Sequence, residues 1–326
     1  MRCLVSDNHN PHFNLATEEY FLKTSQEELF ILYINEPCIV VGKHQNILSE
    51  INLPYVRENK IKLARRISGG GTVYQDLNNL NFSFIHNCIN RDKISFTEFT
   101  RPILEALREM GLEVHFSDRN DLLLSSEKIS GNAMHIYKNR VLSHGTLLFN
   151  TDLTKLSEAL KSNNSRFNDK SIKSVRSRVT NIFPYLKEIL MINTFTDRIF
   201  ENILSKNENS HIQLLNTAEE WEINKIAEEK FNTWQWTYGY SPKYTYKNSF
   251  NIDRNTINVE FSVERGLISN TKVITHPLDT VIDDLLCQTL NETLHDYDTI
   301  KMKLNKISLN NSFLKDNLSD YCDQLF

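Results

Sequence analysis

Glycine is scarce in this chain, with only nine in 326 residues. Cysteine is scarcer: the five (Cys3, Cys38, Cys88, Cys287 and Cys322) are scattered, odd in number and free of any C-x-x-C pair. That spacing supplies neither a disulfide framework nor a structural zinc site, and it suits a reduced, intracellular protein. Positive charge is not in excess. A net charge of −4 argues against a general nucleic-acid binder, which needs a basic face. No apolar run approaches the ~20 residues that span a bilayer. The N-terminus, Met1 to Asp7, turns polar too early for a secretory signal. The expectation is a cytoplasmic protein with no membrane and no nucleic-acid partner. The length allows two domains at about 100–200 residues each, and 40% apolar residues are enough for a sizeable core.

Against that scarcity, three glycines stand together in Arg65-Arg66-Ile67-Ser68-Gly69-Gly70-Gly71-Thr72-Val73-Tyr74. Glycine reaches φ > 0 and lets other groups approach the backbone, at an entropic cost. Apolar residues lead in and out, so the segment reads as strand, glycine turn, strand. Successive N–H groups in such a turn form a concavity for an anion, and guanidinium groups suit phosphates and carboxylates. A plain glycine hairpin with exposed arginines reads the same way.

Around it, periodicity places a helix over Asn14 to Leu22 with Asn14 as cap and Glu18 and Glu19 at its positive end. Phe30–Ile34 and Cys38–Val41, around Pro37, give a hairpin signal. Asn79–Ile85 alternates as a strand, and Thr100–Met110 reads as a helix with Pro102 in its first turn and Gly111 at its exit. Strands follow at 112–116, 122–124, 129–137 and 141–149, then a helix over 152–161. Residues 162–180 form a polar loop, and Thr217-x-x-Glu220 marks a capping box. Residues 245–275 alternate apolar and polar twice and 279–296 are helical, which sets the expected domains as 1–244 and 245–326.

Three more segments carry chemistry. Asp118-Arg119-Asn120-Asp121 puts two carboxylates beside an apolar strand, as a Mg²⁺ contact or as ordinary turn residues. Lys128 opens a strand with Gly131 close behind, either a point charge for a carboxylate or phosphate or a solvated lysine. His144, beside Gly145 and Thr146, is a ligand contact or a core histidine. The stretch 170–178 carries Lys170, Lys173, Arg176 and Arg178 and no acid, as a triphosphate loop or a solvated one would. Cys88 and His86 share a strand face and form either a nucleophile pair or core packing.

Taken in order, these segments resemble the lipoate–protein ligase family over nearly the whole chain. Arg65-Arg66-x-Ser68-Gly69-Gly70-Gly71-Thr72-Val73-Tyr74, followed by Asp76 and Asn79, is similar to its lipoate-binding loop. Asp118 to Leu122 looks like its nucleotide-contacting turn, Lys128-Ile129-Ser130-Gly131 like the strand of its essential lysine, and Ser174 to Asn181 like its adenylate loop. His144-Gly145-Thr146 resembles its next strand, and Trp234 to Pro242 the hinge before its accessory domain. One departure is Asn78, where the family usually has glycine; asparagine tolerates the left-handed region better than other side chains.

The resemblance implies a mixed α+β fold: a biotin/lipoate ligase-like catalytic domain of β-sheets flanked by helices, and a small C-terminal α+β domain. It implies ATP-dependent formation of lipoyl-AMP, then transfer to a lysine of a lipoyl domain. Acceptors would be 2-oxoacid dehydrogenase acyltransferase subunits or the glycine-cleavage H protein, and the ligase would be a monomer. Lys128 would be the catalytic residue. Lipoate and ATP would lie against Arg66, Ser68, Gly70, Gly71, Thr72, Val73, Tyr74, Asn120, Asp121, Lys128, His144, Gly145, Thr146 and Arg178, with Asp121 contacting Mg²⁺. Within the same superfamily, an octanoyl or lipoyl transferase acting without ATP needs an activated thiol, and 162–181 has none. A biotin ligase would carry a Gly-Arg-Gly-Arg-rich loop, also missing. A third alternative is a non-catalytic binding protein that retains lipoyl-AMP, against which the intact Lys128 segment argues.

Overall fold

The computed structural model describes residues 1–88, 95–162, 164–308 and 317–326, so Asn163 of the polar loop lies outside the described residues. In chain order the elements are β1 (Arg2–Val5), α1 (Pro11–Thr24), β2 (Leu29–Ile34), β3 (Cys38–Val41), α2 (Leu53–Glu58), β4 (Lys62–Arg65), β5 (Val73–Gln75), β6 (Asn79–Asn87) and α3 (Phe96–Glu109). Then come β7 (Val114–Phe116), β8 (Leu122–Leu124), β9 (Glu127–Ser130), β10 (Asn132–Tyr137), β11 (Arg140–Leu148), α4 (Leu153–Ala159) and β12 (Phe167–Asp169). The remainder is α5 (Ile192–Ser205), β13 (His211–Ile212), α6 (Thr217–Ile226), β14 (Tyr244–Ile252), β15 (Asn255–Glu264), β16 (Leu267–His276), α7 (Thr280–Leu290), α8 (Tyr297–Ser308) and α9 (Leu318–Asp323).

The chain divides into two compact units. The first holds residues 1–43, 61–158 and 174–233; the second holds 44–60, 159–173 and 234–326. The first unit is built on a six-stranded sheet in the order β10-β11-β6-β2-β1-β13. Two three-stranded sheets join it, β4-β3-β5 and β7-β8-β9. Strand alternation explains how the large sheet divides its faces. His144 pairs with Ser83 and Ser143 with Phe84 across β11 and β6. Phe84, with Phe30, Leu107, Phe195 and Ile199, belongs to the core that α3 and α5 cover. Phe30 and Phe84 stack with centroids 4.7 Å apart. His144 and Ser83 face the other way, where their side chains meet Glu18 of α1. The sheet is thus apolar on one face and locally polar on the other, which makes room for a polar site.

The second unit is a four-stranded antiparallel sheet, β12-β14-β15-β16, with α7 packed on β16. Its alternation is clean: Tyr246, Ile257, Val259, Phe261 and Val263 are buried while their neighbours face out. His295 sits in its core with Nδ1 2.6 Å from the Tyr244 hydroxyl and Nε2 2.7 Å from the Leu325 carbonyl. The mixed α+β class expected from the sequence is what the structure has.

Local details differ from the sequence expectations. α1 starts earlier, capped by Asn10, whose side chain accepts from the His12 amide. Asn14 is buried instead, donating to Asn8 O and Asn35 Oδ1. β2 and β3 form no hairpin: β2 lies between β1 and β6, while β3 lies between β4 and β5 in another sheet. Pro102 sits inside α3, not in its first turn, because the helix begins at Phe96. The capping box is one residue earlier, Asn216 with Glu219. The region 245–275 supplies three strands where two alternations were expected, and β12 forms inside the polar 162–180 loop.

Candidate active site

The glycine segment leaves β4 at Arg65 and enters β5 at Val73. These two strands flank β3 and do not pair with each other, so the segment between them is a wide loop rather than a hairpin turn. Both arginines are buried. Arg65 Nη1 donates to Gly42 O at 3.0 Å and Lys43 O at 3.2 Å. Arg66 Nε donates to Ser68 Oγ at 3.0 Å, Nη1 to Val40 O at 3.0 Å, and Nη2 to Gly69 O at 2.7 Å and Gly71 O at 2.6 Å. Burial pulls its proton affinity down to about 10, still far above neutrality, so the guanidinium stays charged. Arg66 therefore acts as a cationic peg that gathers the carbonyls of its own loop.

With those carbonyls turned inward, the loop's shape follows. Gly70 has φ +87°, a conformation that glycine adopts without strain. Gly71 lies against Ser174, where an added Cβ would stand 3.2 Å from Oγ. The Thr72 amide donates to that same Ser174 Oγ at 2.9 Å. Tyr74 is buried in the core on β5.

Ser68 anchors the other side. Its Oγ accepts from Arg66, which leaves its proton for His144 Nε2 at 2.6 Å. His144 Nδ1 then donates to Glu18 Oε2 at 2.8 Å. This assignment of protons satisfies every group with a neutral imidazole. Glu18 Oε1 accepts from Tyr33 OH at 2.9 Å and from Ser83 Oγ. Burial and the Glu18 charge push the Tyr33 phenol well above its ordinary range, so it remains a donor. The chain Arg66–Ser68–His144–Glu18–Tyr33 is buried throughout.

The second cluster forms where β8 and β9 pair. Ser117 shapes the preceding turn: its Oγ accepts from the Arg119 and Asp121 amides, each at 3.1 Å, and Asn120 takes φ +63°. Lys128 Nζ lies 3.0 Å from Asp121 Oδ1. The 174–181 segment is clamped to the same strand: the Lys128 amide donates to Arg178 O at 2.9 Å, and the Thr180 amide to Lys128 O at 3.0 Å. The result is a cavity of about 290 Å³ lined by Asp118, Arg119, Asp121, Lys128, Ser177 and Arg178 among others. Three cations face two carboxylates there, a balance suited to a polyanion carrying a divalent ion.

Gly131 joins the two clusters. An added Cβ would stand 3.3 Å from Lys128 Cε and Nζ and 4.0 Å from Val73 Cγ1. Gly70 lies against Ala133, with an added Cβ 3.7 Å from its methyl. The Gly131 amide donates to Thr146 Oγ1 at 3.3 Å, and the Asn132 side chain to Asn120 O at 2.8 Å. Gly145 packs so tightly that an added Cβ would come 2.5 Å from Phe82 Cζ. The structure therefore brings Ser68, His144, Gly145 and Thr146 together with Asn120, Asp121, Lys128 and Arg178. Tyr74 and the Arg66 head are present as buried structural groups. Sequence reasoning missed Glu18 and Tyr33 as site residues, and placed Ser174 in the adenylate loop without its contact to the glycine segment. No three-ligand cluster of His, Cys, Asp or Glu occurs among the described residues, and no helix among them is long and apolar enough to cross a membrane. Mg²⁺ carried on phosphates needs only one or two carboxylates, so Asp121 and Asp118 fit that use.

Comparisons with known proteins point to one family. Residues 10–204 match the lipoyl protein ligase A/B catalytic domain, and residues 241–325 match the bacterial lipoate protein ligase C-terminus. Lipoate–protein ligase 1 of Staphylococcus aureus is 40% identical over 314 residues, 95% of each chain. The solved structure of a lipoate–protein ligase A bound with ATP aligns at a TM-score of 0.61 and 25% identity, covering 73% of this chain and 98% of its own. The P. falciparum protein LipL1 in complex with lipoate aligns at a TM-score of 0.61 and 25% identity, covering 99% of this chain and 100% of its own. This chain belongs to the lipoate–protein ligase family.

Proposed function

We propose that the chain is an ATP-dependent lipoate–protein ligase whose chemistry is centred on Lys128. In the first step a lipoate carboxylate oxygen bonds to the α-phosphorus of ATP and pyrophosphate leaves. In the second, the ε-amine of an acceptor lysine bonds to the acyl carbon, the acyl–oxygen bond breaks, AMP leaves and the amine gives up a proton. Both steps bring anionic oxygens together and need fixed positive charge. Lys128 Nζ is the group placed to neutralise the lipoate carboxylate, then the bridging oxygens of the adenylate. Its release from Asp121 frees that carboxylate for Mg²⁺ entering with ATP, with Asp118 beside it. Arg119 and Arg178 face the phosphates.

The glycine loop supports this differently from a simple phosphate clamp. Arg66 holds the loop carbonyls inward, so that the backbone at Gly70 and Gly71 approaches Ala133 and Ser174 closely. We assign the acyl chain to the neighbourhood of this loop. Division at 244/245 into a catalytic region and an accessory region completes the reading, with a cytoplasmic location. Acceptors are lipoyl domains, of dehydrogenase acyltransferase subunits or of the glycine-cleavage H protein.

The observation that carries the proposal is the Lys128–Asp121 contact of 3.0 Å in a cavity also lined by Arg119 and Arg178. Pyrophosphate release measured with lipoate, octanoate and biotin, with and without an apo lipoyl domain, tests it. Release with lipoate and amide formation on the domain are expected. Transfer from an acyl carrier donor without ATP would replace the reading with a thioester transferase, and lipoyl-AMP that never modifies a domain would replace it with a binding protein.

A further inference from the structure

The cavity at the β8–β9 pairing is lined by three cations in unequal states. Lys128 Nζ is 3.0 Å from Asp121 Oδ1, and the two side chains are 25% and 17% exposed. Among the described residues, the Arg119 and Arg178 side chains meet no carboxylate and no other hydrogen-bonding group. A polyphosphate entering here finds two guanidinium groups ready for it. A carboxylate seeking Lys128 finds that charge already taken.

Both members of the pair are held from behind. The Asp121 amide donates to Ser117 Oγ at 3.1 Å, and the Asp121 carbonyl accepts from the Ser117 amide at 2.9 Å. Lys128 is fixed at its own amide and carbonyl, by Arg178 O and the Thr180 amide, in a parallel bridge to Val179. Its side chain runs over Gly131, where an added Cβ would stand 3.3 Å from both Cε and Nζ. With the backbone set on both sides, the pair forms with little conformational freedom left to lose.

An acid that binds first has to part this pair. Its carboxylate then shares the cavity with an Asp121 carboxylate stripped of its cation, and like charges at close range disfavour each other. A nucleotide carrying Mg²⁺ on its phosphates brings Asp121 a replacement cation, since such ions are held by one or two carboxylates together with phosphate oxygens. Lys128 is then free for the acid. The exchange leaves no bare carboxylate in that order and leaves one in the other.

We propose that Asp121 withholds Lys128 from carboxylates until a Mg²⁺-bearing nucleotide is present, so that the acid substrate and the nucleotide bind with positive coupling through this one ion pair. Linkage makes the effect mutual: whatever factor the nucleotide adds to lipoate affinity, lipoate adds to nucleotide affinity. Parting a partly exposed pair changes an affinity by up to about fivefold, and the repulsion it uncovers adds to that. This role for Asp121 rests on the ligase reading and deepens it by setting the order in which the substrates are favoured.

Calorimetric titration of lipoate into the full-length protein reads the coupling without catalysis. Three states are compared: no nucleotide, Mg²⁺ with α,β-methylene-ATP (which cannot release pyrophosphate), and the same analogue with EDTA. The lipoate Kd should fall about fivefold or more in the second state alone. Asp121→Asn keeps the backbone bonds of its turn but cannot form the ion pair. Lipoate should bind this variant, without nucleotide, about fivefold more tightly than it binds the wild-type protein, and the coupling should vanish. Asp118→Asn removes the same charge from the same cavity and leaves the pair, so its gain should stay below about twofold. A wild-type Kd that Mg²⁺ and the analogue do not lower overturns the proposal and needs no variant to fold. Equal gains in Asp118→Asn and Asp121→Asn also overturn it, because bulk charge then explains both. Pyrophosphate release from ATP and lipoate is measured separately; its absence sinks the ligase reading, while the titrations still decide the role of the pair.

Discussion

His144 donates from Nδ1 to Glu18 Oε2 across 2.8 Å, linking the first helix of the chain to a strand 126 residues later. Ser68 closes the same ring from the other side at 2.6 Å. Three segments distant in sequence are therefore fixed by one imidazole, and the carboxylate sets which ring nitrogen carries the proton. Glu18 acts through His144 and Ser68 on the glycine loop.

Glu18→Gln isolates that role. A carboxylate accepts from His144, Tyr33 and Ser83 together, whereas an amide must turn a donor toward one of them. One buried donor loses its acceptor, at about 1–3 kcal/mol. A urea titration should show that loss. His144→Leu should make the Glu18→Gln change less costly than it is alone, because the two share one network; strictly additive effects would show that the chain is not coupled.

Lys128→Ala should abolish lipoyl-AMP formation with little change in stability. The Lys128–Asp121 pair is partly exposed, and such pairs contribute at most about 1 kcal/mol. Pyrophosphate release and a denaturant melt on the same preparation check both halves. Normal turnover would remove Lys128 from the site.

The segments that carry chemistry were legible because their residue types are unusual where they stand: three adjacent glycines, a lysine before a glycine, two acids beside an apolar strand. Their convergence was not. Ser125 and Ser126 make the β8–β9 turn at φ +50° and +66°, without the glycine or asparagine that announces such turns, so the pairing that brings Lys128 to Asp121 left no local signal. Glu18 looked like a charge favouring the positive end of a helix. Only the tertiary fold reveals that it is buried, with its neighbour Glu19 serving two lysines. The β2–β3 hairpin failed for a related reason, since alternation marks strands but not their partners.

The glycines separate by what surrounds them. At Gly69 an added Cβ meets nothing within 4 Å, so Gly69→Ala should shift stability by less than about 0.5 kcal/mol. At Gly145 the methyl would strike Phe82 and Asn132 in the middle of β11, and overpacking of that kind costs roughly 1–3 kcal/mol. Phe82→Leu should recover part of the Gly145→Ala loss. Equal melting curves for the two alanine variants would contradict the packing.

Acid should weaken the second unit through His295. Burial lowers its pKa to about 4, and the geometry gives the reason. Nδ1 accepts the Tyr244 proton while Nε2 donates to Leu325 O, so a second ring proton would displace the Tyr244 proton and leave a charge buried in the core. The folded state thus refuses a proton that the unfolded chain takes up near pH 6.5. Stability is retained above that pH, falls as the pH drops from about 6.5 toward 4, and levels off below, a loss of about 3 kcal/mol at most. His295→Gln cannot titrate. Its stability, lower at neutral pH, should change less between pH 6.5 and 4 than that of the wild-type protein, as followed by denaturant melts across that range. His12 and His135 of the first unit, both also held low by burial, contribute to the residual slope, as do carboxylates held low by their partners, such as Glu19 and Glu219. Parallel pH profiles for the variant and the wild type would mean that His295 takes up its proton in the folded state, against the burial that lowers its pKa.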